Sequence, residues 1–201
     1  MTEHNSIESL LQEADNLLAG GDWEGARELY RQAVGLEPND IAIRERVLEA
    51  AKQALDFQVI IGQDMALAEL FVAGDEADKA IDSYKDILNL EKFAQNSGIH
   101  GSQLSDIQNL VAQVKPEIFA KTGVIYLNEG RYVEAIKWLR PSLDLDPSRW
   151  ETHMAMGRAL MLDNKNKEAI SEFQEVVRLA SGEAASAYEL LGEVFLRIGR
   201  S

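Results

Sequence analysis

The sequence contains no cysteine, so it has neither a disulfide framework nor a thiolate for catalysis. It has three histidines, His4, His100 and His153, and none has a second histidine or cysteine three or four positions away. Glycine-rich phosphate loops, serine nucleophile motifs and twelve-residue calcium loops are also missing. These absences predict a protein that is not an enzyme and that needs no metal or cofactor.

Positive charge is scarce as well. The chain has 20 Lys and Arg residues against 34 Asp and Glu residues, which gives a net charge of −14. Nucleic acid requires clustered basic residues, and no such cluster is present, so nucleic acid is not an expected partner. The N-terminus lacks the basic and apolar regions of a signal peptide, and no apolar run approaches membrane-spanning length. We therefore predict an acidic, cytoplasmic protein without direct membrane insertion.

The C-terminal half of the sequence contains a repeat. Gly123 and Gly157 are 34 residues apart, and so are Ala135 and Ala169. Gly192 follows Gly157 by 35 residues. A fixed period of this size, with small residues at set offsets, is typical of an array of helical repeats.

The first regular unit shows how each repeat is built. Phe119, Gly123 and Tyr126 lie at spacings of three and four residues, so they share one face of a helix. A glycine inside a helix costs about 1 kcal/mol relative to alanine, which predicts that a neighbouring helix packs closely against Gly123. A second helix then presents Ala135 and ends before Pro147. This layout resembles the tetratricopeptide repeat, a helix–turn–helix unit of 34 residues.

The resemblance implies an all-α chain of about ten or eleven helices, wound as a right-handed superhelical solenoid. Ala80 follows Ala26 by 54 residues and Ala135 follows Ala80 by 55, so the period is interrupted twice. Between the first two units we expect either a whole inserted helix or one unusually long helix. We predict a single domain, 1–201, with units at about 6–40, 62–93, 116–149 and 150–183, a half-unit at 184–199, and inserted helices at about 41–60 and 102–115.

Glycine and proline predict several helix boundaries. The apolar stretch 57–61 is expected to close at Gly62, with the next helix beginning after it. Residues 95–102 are glycines and small polar residues for the most part, which predicts an exposed loop. Pro116 is expected to start a helix, where proline is tolerated. Pro141 lies inside a helix and predicts a kink, which either bends the helix harmlessly outward or reshapes a binding groove.

The resemblance also implies a binding surface, because in this family the first helix of each unit lines a concave groove for peptides or partner helices. The positions of this chain that match the groove are Ala120, Val124, Leu127, Asn128, Glu151, Met154, Arg158, Met161, Glu189 and Glu193. The apolar members of this set would form one strip: Val124, Leu127, Met154 and Met161. Methionines adapt to varied ligands. The alternative is that some of these side chains pack against the next repeat.

The family's best-known groove is a basic clamp for a C-terminal carboxylate, found in co-chaperones that bind heat-shock proteins. This chain departs from that pattern, since Asp15, Glu117 and Val124 stand at matching places. Only Lys121 and Arg158 are basic there. We therefore do not expect a carboxylate clamp.

The sequence predicts a scaffold or adaptor that binds a peptide or helix of a partner, one with apolar and basic residues to match the acidic surface. Two alternatives stay open. The chain could self-associate through its C-terminal helix, whose apolar face has no second helix to cover it: Tyr188, Leu191, Phe195 and Ile198. It could also be a regulatory domain cut from a larger enzyme or membrane protein, with the two inserted helices contacting the catalytic part.

Overall fold

The structure is a computed structural model that describes residues 2–180, 182 and 184–199, with their side chains from residue 7 onward. Eleven α-helices and no strand make up this part of the chain, so the predicted all-α class and number of helices are confirmed. The first six helices are α1 (Thr2–Ala19), α2 (Trp23–Leu36), α3 (Ile41–Ala54), α4 (Phe57–Ala73), α5 (Ala77–Leu88) and α6 (Leu90–Asn96). The remaining five are α7 (Gly101–Asn128), α8 (Tyr132–Leu145), α9 (Trp150–Leu162), α10 (Asn166–Leu179) and α11 (Ala184–Ile198).

The chain divides into two compact units, and the division falls inside α7, between Val111 and Ala112. In the N-terminal unit α1 packs against α2, α3 against α4, and α4 against α5, with α3 also contacting α1 and α2. In the C-terminal unit α8 packs against α9, α9 against α10, and α10 against α11. Each unit is thus built from consecutive helices that pair with their chain neighbours, the arrangement that short connections favour.

Aspartates fix the starts of three helices in the N-terminal unit. Asp22, Asp40 and Asp56 precede α2, α3 and α4, and each accepts a hydrogen bond from the backbone N–H three residues later, at 3.0, 2.9 and 3.1 Å. Such N-caps satisfy a donor that a helix leaves unpaired. Asp56 also accepts a hydrogen bond from Trp23 Nε1 at 2.9 Å, which ties the start of α4 to α2.

The first interruption of the repeat is a whole inserted helix. α3 ends at Ala54, and Leu55 adopts a left-handed conformation, with φ at 58°, before Asp56 caps α4. The prediction of a helix end at Gly62 is wrong, because α4 runs through that residue. A Cβ added at Gly62 would meet nothing within 4 Å, so the glycine neither breaks the helix nor serves a close contact there.

The second interruption is built differently. The predicted exposed loop is present in shortened form, as residues 97–100 between α6 and α7. The prediction that Pro116 starts a helix is wrong, because α7 continues through it. Buried residues on both sides, Val111 and Ile118, explain why the helix continues despite the backbone hydrogen bond that proline cannot make.

Two close contacts organise the C-terminal unit. A Cβ added at Gly123 would lie 2.5 Å from Leu139 Cγ, and one at Gly157 would lie 2.6 Å from Phe173 Cε1. The close packing predicted at Gly123 is therefore confirmed, since α8 lies directly over that glycine. α8 itself continues through Pro141, and the kink there stays a prediction. Directly after Pro141, the Ser142 hydroxyl donates a hydrogen bond of 2.7 Å to the carbonyl of Pro116.

Candidate functional site

The predicted groove residues of the C-terminal unit lie on α7, α9 and α11, and their exposure differs. Side chains on the surface are Val124, Asn128, Glu151, Arg158, Glu189 and Glu193, whereas Met154 is half-buried. Ala120, Leu127 and Met161 are buried. Of the four residues of the expected apolar strip, Val124 and Met154 are therefore the ones that a ligand could reach.

Charges of both signs accompany these residues. Arg197 contacts Glu193 at 2.7 Å and donates a hydrogen bond of 3.3 Å to the carbonyl of Met161. Lys121 contacts Glu117 at 3.3 Å. This face therefore combines carboxylates with basic side chains, and the acidic excess of the chain is not concentrated on it.

A surface of different character lies between α1 and α3 in the N-terminal unit. A cavity of about 420 Å³ opens there, lined by Ile7, Glu8, Leu11, Glu37, Asp40, Ala42, Ile43 and Arg46. A second cavity, of about 360 Å³, is lined by Asp15, Leu18, Ala19, Tyr30, Arg46, Glu49, Ala50 and Gln53. We call the two cavities together the α1/α3 groove. Arg46 belongs to both linings, so its side chain stands between them.

Arg46 is held in place by carboxylates of α1. Its Nε donates to Asp15 at 3.0 Å, and a terminal nitrogen donates to Glu8 at 3.4 Å. Tyr30 donates its hydroxyl hydrogen to the other oxygen of Asp15. Burial alone would raise the pKa of Asp15, but hydrogen bonds from Arg46 and Tyr30 hold that pKa below its usual value. Burial, together with the bond to Asp15, raises the pKa of Tyr30, so the phenol stays neutral.

The α1/α3 groove is consequently acidic above an apolar base. Among the described residues, five carboxylates line it, on Glu8, Asp15, Glu37, Asp40 and Glu49, against the single guanidinium of Arg46. Apolar side chains such as Leu11 and Ile43 supply the base. The sequence alone did not reveal this surface, because six of its fifteen lining residues belong to α3, whose position the repeat pattern does not predict.

Two polar side chains, those of His153 and Asp64, are buried in surroundings that the sequence did not indicate. His153 places Nδ1 2.7 Å from Glu172 and Nε2 3.1 Å from the carbonyl of Pro147. The bond to Glu172 raises the pKa of His153. In the N-terminal unit, Asp64 is buried and one of its carboxyl oxygens has no hydrogen-bond partner. Burial raises the pKa of Asp64 to about 7.

The described part of the chain offers neither a metal site nor a membrane span. Within residues 2–180, 182 and 184–199, no group of three His, Asp or Glu side chains is placed to hold a metal ion. The helices of the same part of the chain include none that is long and apolar enough to cross a membrane.

Sequence models of the tetratricopeptide repeat match residues 8–40, 116–149 and 154–201, together more than half of the chain. The BBSome complex member BBS4 homolog of Drosophila melanogaster is 30% identical over 91 residues, which are 45% of this chain and 19% of that protein. The human protein O-mannosyl-transferase TMTC1 is 31% identical over 81 residues, 40% of this chain and 9% of that protein. The chain thus spans only a small part of the length of these curated relatives.

Solved structures resemble the chain in fold. Yeast Tom70 aligns over 98% of this chain and 41% of its own, with a TM-score of 0.54 at 15% identity. A tetratricopeptide repeat protein of Thermus thermophilus aligns over 94% of this chain and 99% of its own, with a TM-score of 0.48 at 15% identity. At such identities the likeness to Tom70 shows the fold alone.

Proposed function

The chain belongs to the tetratricopeptide repeat family, and on that premise we propose that it is a non-catalytic scaffold that binds a peptide or helix of a partner protein. The fold supports protein–protein interaction in general. We further propose that the chain acts as one array, and that the ligand carries basic residues beside apolar ones.

The α1/α3 groove is the observation that carries this proposal. Its carboxylates outnumber its one guanidinium, and Arg46 is already engaged by Asp15 and Glu8. A lysine or arginine of a ligand would therefore enter a negative field, while apolar neighbours could cover the accessible apolar side chains of Leu18 and Ala42. Charge complementarity of this kind raises association rates and selects partners.

The face of the C-terminal unit is proposed as a second contact surface. Val124 and Met154 are its accessible apolar side chains, and Arg158 and Glu189 supply polar contacts. Leu127 and Met161 are left out of the contact set, because their side chains are buried. A variant that tests this surface should therefore change Val124 and Met154 and leave the buried pair intact.

Selection of ligands from a displayed peptide library tests the proposal, because a diverse library samples many ligand sequences at once. Wild-type protein should enrich peptides in which Lys or Arg alternates with apolar residues, and binding should weaken as salt rises. The double variant Glu8→Lys/Glu49→Lys should lose these peptides. Glu24→Lys/Asp78→Lys, on exposed positions of α2 and α5 outside the groove, makes the same charge change and should keep them.

Three other outcomes would contradict parts of this proposal. Equal loss in both double variants would mean that net charge, and not the groove, attracts the ligand. Loss in Val124→Glu/Met154→Glu alone would assign the ligand to the C-terminal unit. Failure to enrich any peptide from a diverse library would contradict a peptide-binding scaffold.

Self-association through the C-terminal helix is the competing prediction. It requires an exposed apolar face on α11, and Tyr188, Phe195 and Leu196 are 60%, 58% and 63% exposed. Sedimentation over a wide concentration range tests it, because a constant monomer mass excludes it. The regulatory-domain alternative stays a prediction too, and the presence or absence of coding sequence after Ser201 in the gene would decide it.

A further inference from the structure

Arg46 divides the α1/α3 groove into two cavities, and carboxylates line both of them. Those of the cavity near the start of α1 are Glu8, Glu37 and Asp40. Those of the cavity near the end of α1 are Asp15 and Glu49. Among the described residues, Arg46 supplies the one positive charge of either lining. The groove therefore has two negative regions with a positive charge between them.

Arg46 is held at this division by carboxylates of α1. Its Nε donates a hydrogen bond of 3.0 Å to Asp15, and a terminal nitrogen donates one of 3.4 Å to Glu8. Its side chain is 31% exposed, so it is accessible from the groove. The groove thus already holds one guanidinium, whose charge disfavours a second cation at the division. A ligand cation is attracted instead to the carboxylates on either side of Arg46.

The separation of the two cavities follows from the helices that line them. On α3 the linings lie within positions 42–46 and 46–53, and on α1 they lie within positions 7–11 and 15–19. The midpoints of these ranges differ by about five to six residues on α3 and by about eight on α1. At about 1.5 Å per residue, these separations are about 8 and 12 Å. Two cations of one ligand, one in each cavity, should therefore lie about 8–12 Å apart.

The conformation of the ligand follows from what the groove offers. Because α1 and α3 contact each other, a helix about 10–12 Å across is too wide to enter between them. Both helices use their backbone hydrogen bonds internally, so they provide no edge with which a β-strand could pair. An unpaired extended chain favours the polyproline II conformation, with about three residues per turn and a rise of about 3.1 Å per residue. Residues three positions apart then share one face and lie about 9 Å apart, which matches the two cavities.

We propose that the α1/α3 groove binds an extended peptide through two basic residues three positions apart, one in each cavity. This inference rests on the proposed function and deepens it, since it narrows the alternation of basic and apolar residues in the ligand to one basic residue in every three positions. Each basic side chain then meets the carboxylates of its own cavity, and neither lies over Arg46. Spacings of two or four place the second side chain on another face of the peptide, and a spacing of six places it about 19 Å away, beyond the second cavity.

Peptides of one composition that differ in the spacing of two arginines test the proposal. Short peptides of Leu, Ser and Pro, with arginines two, three, four or six positions apart, are titrated into the nitrogen-15-labelled protein. Shifts of the amide signals of α1 and α3 give the dissociation constant and show where the peptide lies. We expect the spacing of three to bind at least about threefold more tightly than the other spacings, the effect of one exposed ion pair. Equal affinity at all spacings would overturn the proposal and leave the proposed function standing.

Arg46→Met tests the role of the charge at the division. Methionine keeps an unbranched side chain there but removes the guanidinium, so the peptide with arginines two positions apart should gain at least about threefold in affinity. Arg31→Met, in an exposed arginine of α2 outside both linings, makes the same charge change and should affect all spacings alike. The same gain for this peptide in both variants would mean that net charge sets the affinity, which overturns the proposal.

Glu8→Gln and Glu49→Gln assign the two arginines of the peptide, because Glu8 belongs to one lining and Glu49 to the other. Each variant should weaken the peptide with a spacing of three about threefold. Changing one peptide arginine to glutamine should then remove the effect of one variant, and changing the other arginine should remove the effect of the second. Coupling of both glutamates to the same arginine would overturn the assignment of one cation to each cavity.

Two further outcomes separate this inference from the proposed function. If no two-arginine peptide binds although the displayed library yields ligands of the groove, the spacing is wrong and the proposed function stands. If the library yields no ligand either, both fail. Tighter binding of a helical peptide with arginines seven positions apart, which spans about 10 Å, would overturn the extended conformation.

Discussion

Gly157 in α9 and Gly192 in α11 occupy the same place in the repeat. Changing each to alanine should nevertheless raise stability at Gly192 and not at Gly157. Alanine in a helix is favoured over glycine by about 1 kcal/mol. At Gly192 the added methyl group meets nothing within 4 Å, so Gly192→Ala should raise the free energy of unfolding by roughly that amount. Gly62→Ala in α4, where the space is equally open, is the matched control and should give a similar gain.

At Gly157 the same change places a methyl group 2.6 Å from Phe173 Cε1, well inside contact distance. Phe173 is fully buried, so its ring cannot turn into solvent to make room. Overpacking of a core costs about 1–3 kcal/mol, which cancels or exceeds the gain in helix propensity. Gly157→Ala should therefore be less stable than Gly192→Ala by about 1–3 kcal/mol.

Urea denaturation followed by far-ultraviolet circular dichroism measures these differences, with the slope of the transition as a check that the unfolded states are alike. The result that would refute the reasoning is a loss of stability in Gly192→Ala equal to that in Gly157→Ala. It would mean that the surface of α11 around Gly192 is covered in solution. A gain in Gly157→Ala would mean that Phe173 can move and that close packing does not explain the glycine.

Three further predictions concern polar side chains that are buried or partly buried. Burial raises the pKa of Asp64 to about 7, so the protonated carboxyl contributes its full stabilisation below about pH 4. This stabilisation is lost as the pH rises to about 7, which should lower the free energy of unfolding by up to about 4 kcal/mol. Asp64→Asn should abolish this pH-dependent loss. The pKa of His153 is raised as well, so the stabilisation that His153 provides should fall as the pH rises through that pKa. His153→Gln should make the free energy of unfolding less dependent on pH in that range. Arg46→Met should lower stability by about 1 kcal/mol by leaving the partly exposed Asp15 without its guanidinium, and adding Asp15→Leu should restore part of the loss in thermal unfolding.

The regular part of the fold was predictable because a repeat of constant length sets the positions of the helices and of the close contacts between them at the same time. Small residues at Gly123 and Ala135 predicted a close crossing of two helices, and α8 lies over that glycine as expected. Proline predicted helix boundaries less well, since the free-energy cost of a proline inside a helix can be outweighed by packing of the helix on both sides of it. Pro116 lies within a helix for this reason, whereas Pro141 was already expected inside one.

The candidate site was less predictable, because a periodic pattern gives the direction of a side chain and not the distance to the next helix. Leu127 and Met161 have the same register as groove residues, yet both are buried. The α1/α3 groove depends on an inserted helix that follows no period. Leu11 and Asp15 were visible in the sequence, but their partners across the groove could not be assigned before the position of α3 was known.

The division between the two units lies within α7, and this affects where a protease should cleave the chain. Units joined by a loop are separated by limited proteolysis, because proteases require an extended substrate. Here the backbone at Val111 and Ala112 is helical and hydrogen-bonded, so cleavage should occur first at the exposed residues 97–100. The larger fragment would then keep α7 whole, and a proteolytic map would place the domain boundary some ten residues before the division that packing defines.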